Sequence, residues 1–340
     1  MKLLESLYIK VFVNIVLSGN ETIVYIENFT KGSVTESFEN TFSTVEVNEE
    51  MVEYINSYIK ESPYFYISLL DISSTQGAIP TCLKSTMNLY HDISDSEYKC
   101  QNKQWTHYTS KNDLYEIERR YEAFGLDFVF SPFSVLASFF SDKVDNSLAL
   151  YILLEDAHMS LAVFDNSQLK YADFIDISNV VESEELVEVE ALEEELDEEE
   201  GIDLDDLDAI DDLDDIESLD DFGDIEDLDS LDDIDEFSSS EDVEEEFHHD
   251  EDVQGEASTS SSDGLSEDYK RFTLVQKSIN NFYTDSKYSG DFIENVYVAD
   301  SVGISHDFKR YFEEEMFMSV YVRKIALVIE IAQLAHSEVL

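Results

Sequence analysis

Cys82, His91, Cys100 and His107 fall in one short stretch of the chain, and thiol and imidazole are the side chains that hold zinc. Their spacings match no known ligand pattern, so structural or surface roles are expected for all four. Two cysteines make no disulfide framework, and the expectation is a pair of free thiols in a reducing compartment. His248-His249 stands among carboxylates and would hold a divalent cation only weakly, so a solvated pair is expected. Asp71-Ile72-Ser73-Ser74 has the look of a phosphate turn, yet no glycine lets a ligand approach the backbone, and a strand-ending turn is expected instead. The single Trp105 is expected in the core. No phosphate-binding loop, glycine-rich dinucleotide turn or zincin motif occurs, and glycine is scarce at 10. No catalytic, cofactor-binding or metal-ligating residue is therefore assigned, no cofactor is expected, and the chain is read as a non-enzyme.

The charge is as uneven as the chemistry is sparse. Formal net charge is −59, and Val181–Asp268 alone contains 43 Asp and Glu with no Lys or Arg. The rest of the 340 residues carries a net of −16. Such a surface repels phosphate backbones and anionic lipid heads, which argues against nucleic-acid partners and favours basic protein partners through the acidic tract. At that charge density the tract cannot bury a core, and disorder is expected. Within it every third residue from Leu204 to Phe237 is large and apolar. Three residues advance a helix by 300°, so this stripe makes no single helical face and suits an extended, polyproline-like chain. A repeat-expanded linker and a multivalent docking array are the two readings of it. A calcium site is disfavoured, since the glycine spacing of a calcium loop is absent.

On either side of the tract the pattern alternates between strand and helix. Leu7–Val16 and Thr22–Asn28 are β-branched and aromatic runs joined at Ser18-Gly19-Asn20, a hairpin signature. A third strand follows at Val34–Phe42, a helix at Glu49–Ile59 stopped by Pro63, and a continuous apolar strand at Tyr64–Leu70. Gln104–Tyr108 is a strand and Lys111–Phe124 a helix closed by Gly125. Leu126–Phe130 is a strand, and Pro132 opens a helix through Phe140. Leu148–Leu154, Ser160–Phe164 and Leu169–Ile177 form three more strands. After the tract come a helix at Lys270–Tyr283, a strand at Phe292–Val298, a helix at His306–Met316, a strand at Met318–Val322 and a helix at Ile325–Ser337. Leu7–Leu17 is broken by Lys10 and Asn14 and lacks a small-residue cleavage site, so no signal peptide is expected. No run approaches the ~18 apolar residues that a spanning helix needs.

Several of these segments resemble PilM, the actin-like protein of type IV pilus machines, and its relative, the cytoplasmic domain of GspL in type II secretion. The carriers are Trp105-Thr106-His107-Tyr108 through Asp113-Leu114-Tyr115-Glu116 to Glu122-Ala123-Phe124-Gly125-Leu126, and Ser131-Pro132-Phe133-Ser134-Val135-Leu136-Ala137. Leu150–Phe164 with Asn166-Ser167-Gln168-Leu169, Ser278–Tyr283, Asn295–Ala299 and Phe308–Glu314 extend the likeness over most of both blocks. The resemblance implies an α/β, actin-like (ribonuclease H-like) two-lobed fold. Residues 1–180 would form the first lobe and the start of the second, 181–268 a disordered acidic interruption, and 269–340 the rest of the second lobe.

The departures from that family are where nucleotide would bind. Family members place an Asp and a Gly at the start of the second-lobe hairpin, where this chain has Leu153 and Glu155. A carboxylate there blocks backbone approach and repels phosphate. The glycine-rich turn after the late strand is Ala299-Asp300-Ser301-Val302-Gly303, which adds another acid. The small subdomain that clamps the base would fall between Ile177 and Lys270, where the acidic tract stands. The resemblance thus implies a degenerate nucleotide site and a non-catalytic scaffold on the cytoplasmic face of an inner-membrane machine: type IV pilus, type II secretion, DNA uptake or flagellar motor. It would bind the cytoplasmic tail of a bitopic inner-membrane protein, join a ring-like homo-oligomer in the assembled machine, and lie peripheral to the inner membrane without inserting. Two rivals are weighed: an active actin-like ATPase resembling FtsA, and a free acidic hub or chaperone for basic clients.

Overall fold

The structure is a computed structural model that describes residues 8–144, 146–177, 262–288 and 290–339, with side chains from residue 267 onward in the third of these segments. The period-three array and His248-His249 lie outside the described residues. Three strands open the chain: β1 (Lys10–Ser18), β2 (Glu21–Thr30) and β3 (Ser33–Phe42). The β1–β2 turn needs a left-handed residue, and Gly19 supplies it at φ +55°. Helix α1 (Glu49–Ile59) follows; its cap is Asn48, whose side chain accepts from the Met51 N–H at 2.8 Å. The chain then returns as β4 (Tyr64–Leu70), parallel to β1.

Next come β5 (Gln76–Ile79), the single-turn helix α2 (Lys84–Met87), β6 (Ser96–Gln101) and β7 (Trp105–Ser110). Helix α3 (Lys111–Arg120) is capped by Ser110 and leads to β8 (Phe128–Phe130). Helix α4 (Pro132–Phe139), with proline in its first turn, and the short α5 (Ser141–Val144) lead into the second lobe. That lobe contains β9 (Ala149–Leu154), β10 (His158–Asp165), β11 (Gln168–Asp176), α6 (Ser262–Thr284), β12 (Asn295–Asp300), α7 (His306–Glu315), β13 (Ser319–Lys324) and α8 (Leu327–Val339).

The two large sheets repeat one plan. Strand order is β3-β2-β1-β4-β8 in the first and β11-β10-β9-β12-β13 in the second. In each, three antiparallel strands are followed by two parallel ones on the far side of the first. Parallel neighbours need crossover helices, which α1, α3, α6 and α7 supply. This duplicated sheet is the α/β actin-like two-lobed fold that the resemblance implies. A small antiparallel sheet, β5-β7-β6, hangs from the first lobe.

One apolar layer runs between the lobes. Phe12, Val16, Leu70 and Phe130 from the first sheet meet Tyr151, Leu153 and Phe164 from the second through α4 and α8. Trp105 joins this layer, edge-on to Phe164 at 5.8 Å between ring centroids. A second core lies under α6 and α7, where Phe272, Val275, Phe308 and Phe312 cover the outer face of the second sheet.

Three features differ from the sequence reading. First, Cys82 and Cys100 form a disulfide with Cα atoms 5.5 Å apart, so the expectation of free thiols is corrected. The cause is non-local: Thr106 of β7 pairs with both Ile79 and Cys100, which draws the segment leaving β5 alongside β6. The expected reducing compartment loses the ground it was given. Second, β5 and β6 were not expected: β5 has four residues, and β6 is mostly polar and exposed, with no apolar run to mark it. Third, the helix expected from Lys270 begins at Ser262, inside the stretch counted as acidic tract. Asp268, in the second turn of this helix, is buried, accepting from the Ser305 N–H at 2.9 Å and pairing with Arg271 at 3.2 Å.

Two outcomes follow from this architecture. Since β12 sits between β9 and β13, a fragment of residues 262–340 should lack cooperative unfolding alone and regain it on co-expression with residues 1–177; a sharp melt of the lone fragment contradicts this. Alkylation without reductant should label no thiol, and Cys100→Ser should lose about 3 kcal/mol of stability from reopening the loop that begins at Cys82. Denaturant titration of the variant checks the second.

Candidate functional site

The tips of two hairpins, one per lobe, meet at the mouth of the interlobe cleft. Ser18 and Gly19 come from the β1–β2 turn, and Glu155, Asp156, Ala157 and His158 from the β9–β10 turn. The Ser18 hydroxyl donates to Asp156 Oδ2 at 2.6 Å, directly across the cleft. Leu17, Val45, Ile72 and Arg120 complete the lining, and the space left is about 190 Å³. Ligand pockets usually run to roughly 300–1,000 Å³.

Glu155 is buried at this turn, and its Oε2 has no hydrogen-bond partner. Burial, with the neighbouring Asp156 charge, pushes its carboxyl up to about 8. Leu153, two residues earlier, is fully buried in the interlobe layer. The positions that the resemblance marks as phosphate-binding therefore hold an apolar core residue and an unpartnered acid.

The turn after β12 is filled from within. Asp300 Oδ1 accepts N–H bonds from Val302 (3.1 Å), Gly303 (2.8 Å) and Ile304 (3.3 Å). Such a nest of backbone N–H groups is an anion cradle, and here the chain's own carboxylate occupies it. Gly303 sits at φ +83°, the left-handed conformation that closes the nest. Ser301 ties the turn to β9 by donating both its N–H (3.2 Å) and its hydroxyl (2.6 Å) to the Leu154 carbonyl.

The remaining sequence candidates are dispersed. Asp71 ends β4 as a turn: its carboxylate accepts from the Ser73 N–H at 2.9 Å and from the Thr109 hydroxyl at 2.6 Å, and burial raises its pKa. His91 stacks on Tyr108 with centroids 4.2 Å apart. His107 pairs with the Gln101 amide at 3.1 Å, and burial holds it down to about 4, so it is neutral at pH 7. Among the described residues no group of three or more His, Cys, Asp or Glu side chains is gathered as a metal site.

A larger groove of about 500 Å³ lies beside β8. Its walls are β8 itself, Gln101 and Asn102 of the β6–β7 turn, and Ala137, Ser138 and Leu334 of α4 and α8. The Gln101 amide reaches the Ser134 hydroxyl at 3.3 Å, and a Lys99–Glu338 ion pair closes one end. Since β8 bonds only to β4 and is the last strand of its sheet, its outer edge opens to this groove. Sequence reasoning missed the groove because β6 was not recognised. It also missed Ser18 and Asp156: both turns were legible, but not that their tips meet.

The raised Glu155 pKa has a defined pH signature. Its acid form is favoured in the fold, so its contribution is complete below the unfolded carboxyl value near 4.3 and is lost as pH rises through about 8. Glu155→Gln should raise the melting temperature at pH 8.5 by several degrees and leave it almost unchanged at pH 4.5. Equal effects at both values would place the carboxyl in water.

Two family models cover the folded parts of the chain: Domain of unknown function (DUF8569) over residues 8–137, and Domain of unknown function (DUF8341) over residues 150–340. No curated protein matches the sequence. Among solved structures, the PilM–PilN type IV pilus biogenesis complex is similar at 8% identity, covering 92% of this chain and 87% of that one, with a TM-score of 0.45. MreB 5 of Spiroplasma citri bound to AMPPNP is similar at 10% identity, covering 97% of each chain, with a TM-score of 0.41. A Bacteroides thetaiotaomicron protein with an actin-like ATPase fold and unknown function shares 17% identity over 55% of this chain and 77% of its own, with a TM-score of 0.34. The fold assignment rests on the strand order above and not on these overlaps. With more than half its length matched, the chain belongs to the family described as Domain of unknown function (DUF8341).

Proposed function

We propose that this chain is a non-catalytic actin-like scaffold at the cytoplasmic face of an envelope-spanning machine. The machine is one that builds type IV pili, secretes through a type II system, takes up DNA or turns a flagellum. The chain binds no nucleotide and holds the short cytoplasmic tail of a bitopic inner-membrane protein. The observation that carries this reading is the self-filled cleft. The Ser18–Asp156 bond spans its mouth, Asp300 occupies the one anion cradle described there, and Glu155 stands where a phosphate would approach. The carboxylates of Asp156 and Asp300 repel phosphate oxygens at such a site, and Glu155 takes the space a phosphate would need.

The groove beside β8 supports the binding half of the proposal. An extended tail laid against an open strand edge gains main-chain hydrogen bonds there, while side-chain pockets supply selectivity. Its mixed lining of Phe128, His107, Ser138 and Leu334 suits a short peptide with small and apolar side chains. Among the described residues no helix is long and apolar enough to cross a membrane, so a partner supplies the attachment in this reading. The Cys82–Cys100 disulfide is what a cytoplasmic assignment has to accommodate, because such bonds are rare in reducing compartments.

The test has two arms. Mg-ATP should leave the melting temperature unchanged, whereas binding at 100 times the dissociation constant would add about 2.7 kcal/mol; a saturable rise sinks the scaffold reading. Native membranes solubilised in detergent should yield a co-purifying protein with one spanning helix, and Ser138→Trp, which fills the groove, should abolish its capture without lowering the melting temperature. Capture that survives Ser138→Trp removes the groove from the proposal.

A further inference from the structure

The second sheet ends on an edge unlike the others. β3 carries Glu36 and Glu39 along its edge, and β11 lies against β5. β8 has three residues. Acid, cover and brevity are the usual protections of an open strand. β13 has six residues, lies uncovered and carries charge only at its C-terminal end, on Arg323 and Lys324. Tyr321 (49% exposed) and Val322 (40%) stand on it, and Phe317 (83%) and Phe292 (63%) flank its N-terminal end and that of β12.

A tyrosine ladder leads to this edge. Tyr151, Tyr297 and Tyr321 occupy paired positions on β9, β12 and β13. Tyr151 stacks on Tyr297 with centroids 5.3 Å apart and planes 16° from parallel, and Tyr297 stacks on Tyr321 at 5.2 Å and 20°. The ladder stops at the outer face of Tyr321. The backbone direction is also defined: Ser319 and Ile325 donate their N–H groups to Glu294 and Asp300 on the β12 side. Residues of a strand alternate in direction, so Val320, Val322 and Lys324 turn their N–H and C=O groups outward.

We propose that the outer edge of β13 is a two-fold pairing surface for a second copy of this chain. A two-fold axis normal to the sheet requires like-parity positions to face one another, and the ladder selects the register in which Tyr321 meets Tyr321. Val320 of each copy then faces Val322 of the other, and these pairs exchange the outward N–H and C=O bonds. Tyr321 becomes the non-hydrogen-bonded pair at the axis, where side chains approach most closely. The ladder continues unbroken through six tyrosines. Lys324 of each copy arrives opposite Met318, where α7 folds back onto the strand, since Met318 donates its N–H to Phe312 at 3.2 Å. That helix ends on the exposed Glu313, Glu314 and Glu315, so a cation meets acids at both ends of the seam. Such an isologous contact closes on itself and stops at two copies. The inference does not depend on the scaffold reading.

Two chains of net charge −59 repel at long range, and salt screens that repulsion. Sedimentation equilibrium of the full chain should therefore give a monomer–dimer system that tightens from about 50 to about 300 mM salt, as the Debye length shortens. Val322→Lys should weaken association at least tenfold with an unchanged melting temperature. As a register test, Tyr321→Cys should oxidise to a covalent dimer, because Cα atoms of a non-hydrogen-bonded pair stand ~4.5 Å apart, within disulfide reach. Lys324→Cys, facing Met318, should stay uncrosslinked. A chain that is monomeric at every salt concentration overturns the proposal, whether or not β13 then takes a strand from another protein. So does wild-type association by Val322→Lys, or equal crosslinking of the two cysteine variants.

Discussion

The apolar layer between the lobes is the contact on which the other features depend. It is not built from either sheet alone. α8 leaves β13 at the end of the second sheet and lies across β1, β2, β4 and β8 of the first, burying Ile331, Ala332 and Ala335. α4 fills the other half of the layer with Phe133 and Leu136. The last helix is thus the strap of the first lobe. His336 of this helix is wedged into the first lobe, its Nε2 3.1 Å from Glu27 Oε2 and its ring 4.4 and 4.9 Å from the Phe12 and Phe29 rings.

With the lobes held, the two hairpin tips are brought into direct contact and the cleft between them becomes small. An actin-like cleft that works as an enzyme must leave room for phosphates and offer them donors. Here the donors are turned inward on Asp300, and the hydroxyl at the mouth is spent on Asp156. Glu155 is buried, and its Oε2 has no hydrogen-bond partner.

The same molecule separates its charges sharply. The strongly acidic stretch carries 43 acids, while the rest of the chain is only moderately acidic. Among the described residues several basic side chains are held by acids: Arg323 forks onto Asp142 at 2.9 and 2.8 Å, and Arg271 pairs with Asp268 at 3.2 Å and with Glu267 at 3.7 Å. Among the described residues Phe292, Phe317, Tyr321 and Val322 are exposed apolar side chains at the β13 end of the second sheet. Contacts through strand edges and grooves suit such a surface better than contacts through charge.

Strand and helix positions were legible because their signals are local. Tyr64–Leu70 reads as a buried strand from its composition, and Pro132 marks a helix start wherever it stands; Gly125 did not mark the stop, since the helix expected to run to Phe124 ends at Arg120 and a turn fills the interval. The doubling of the sheet was legible only through resemblance, since no residue pattern announces that β12 inserts between β9 and β13. The acids at Glu155 and Asp300 were legible as obstacles to phosphate; the nest that Asp300 fills was not. What tertiary structure alone decided are the encounters between distant segments. The Cys82–Cys100 bond, the Ser18–Asp156 bridge, the groove beside β8 and the tyrosine ladder all join residues whose neighbours in sequence say nothing of each other. Periodicity reports which face of an element is apolar. Which faces and tips then meet is set by strand order and crossover, and these are settled only when the whole apolar layer closes.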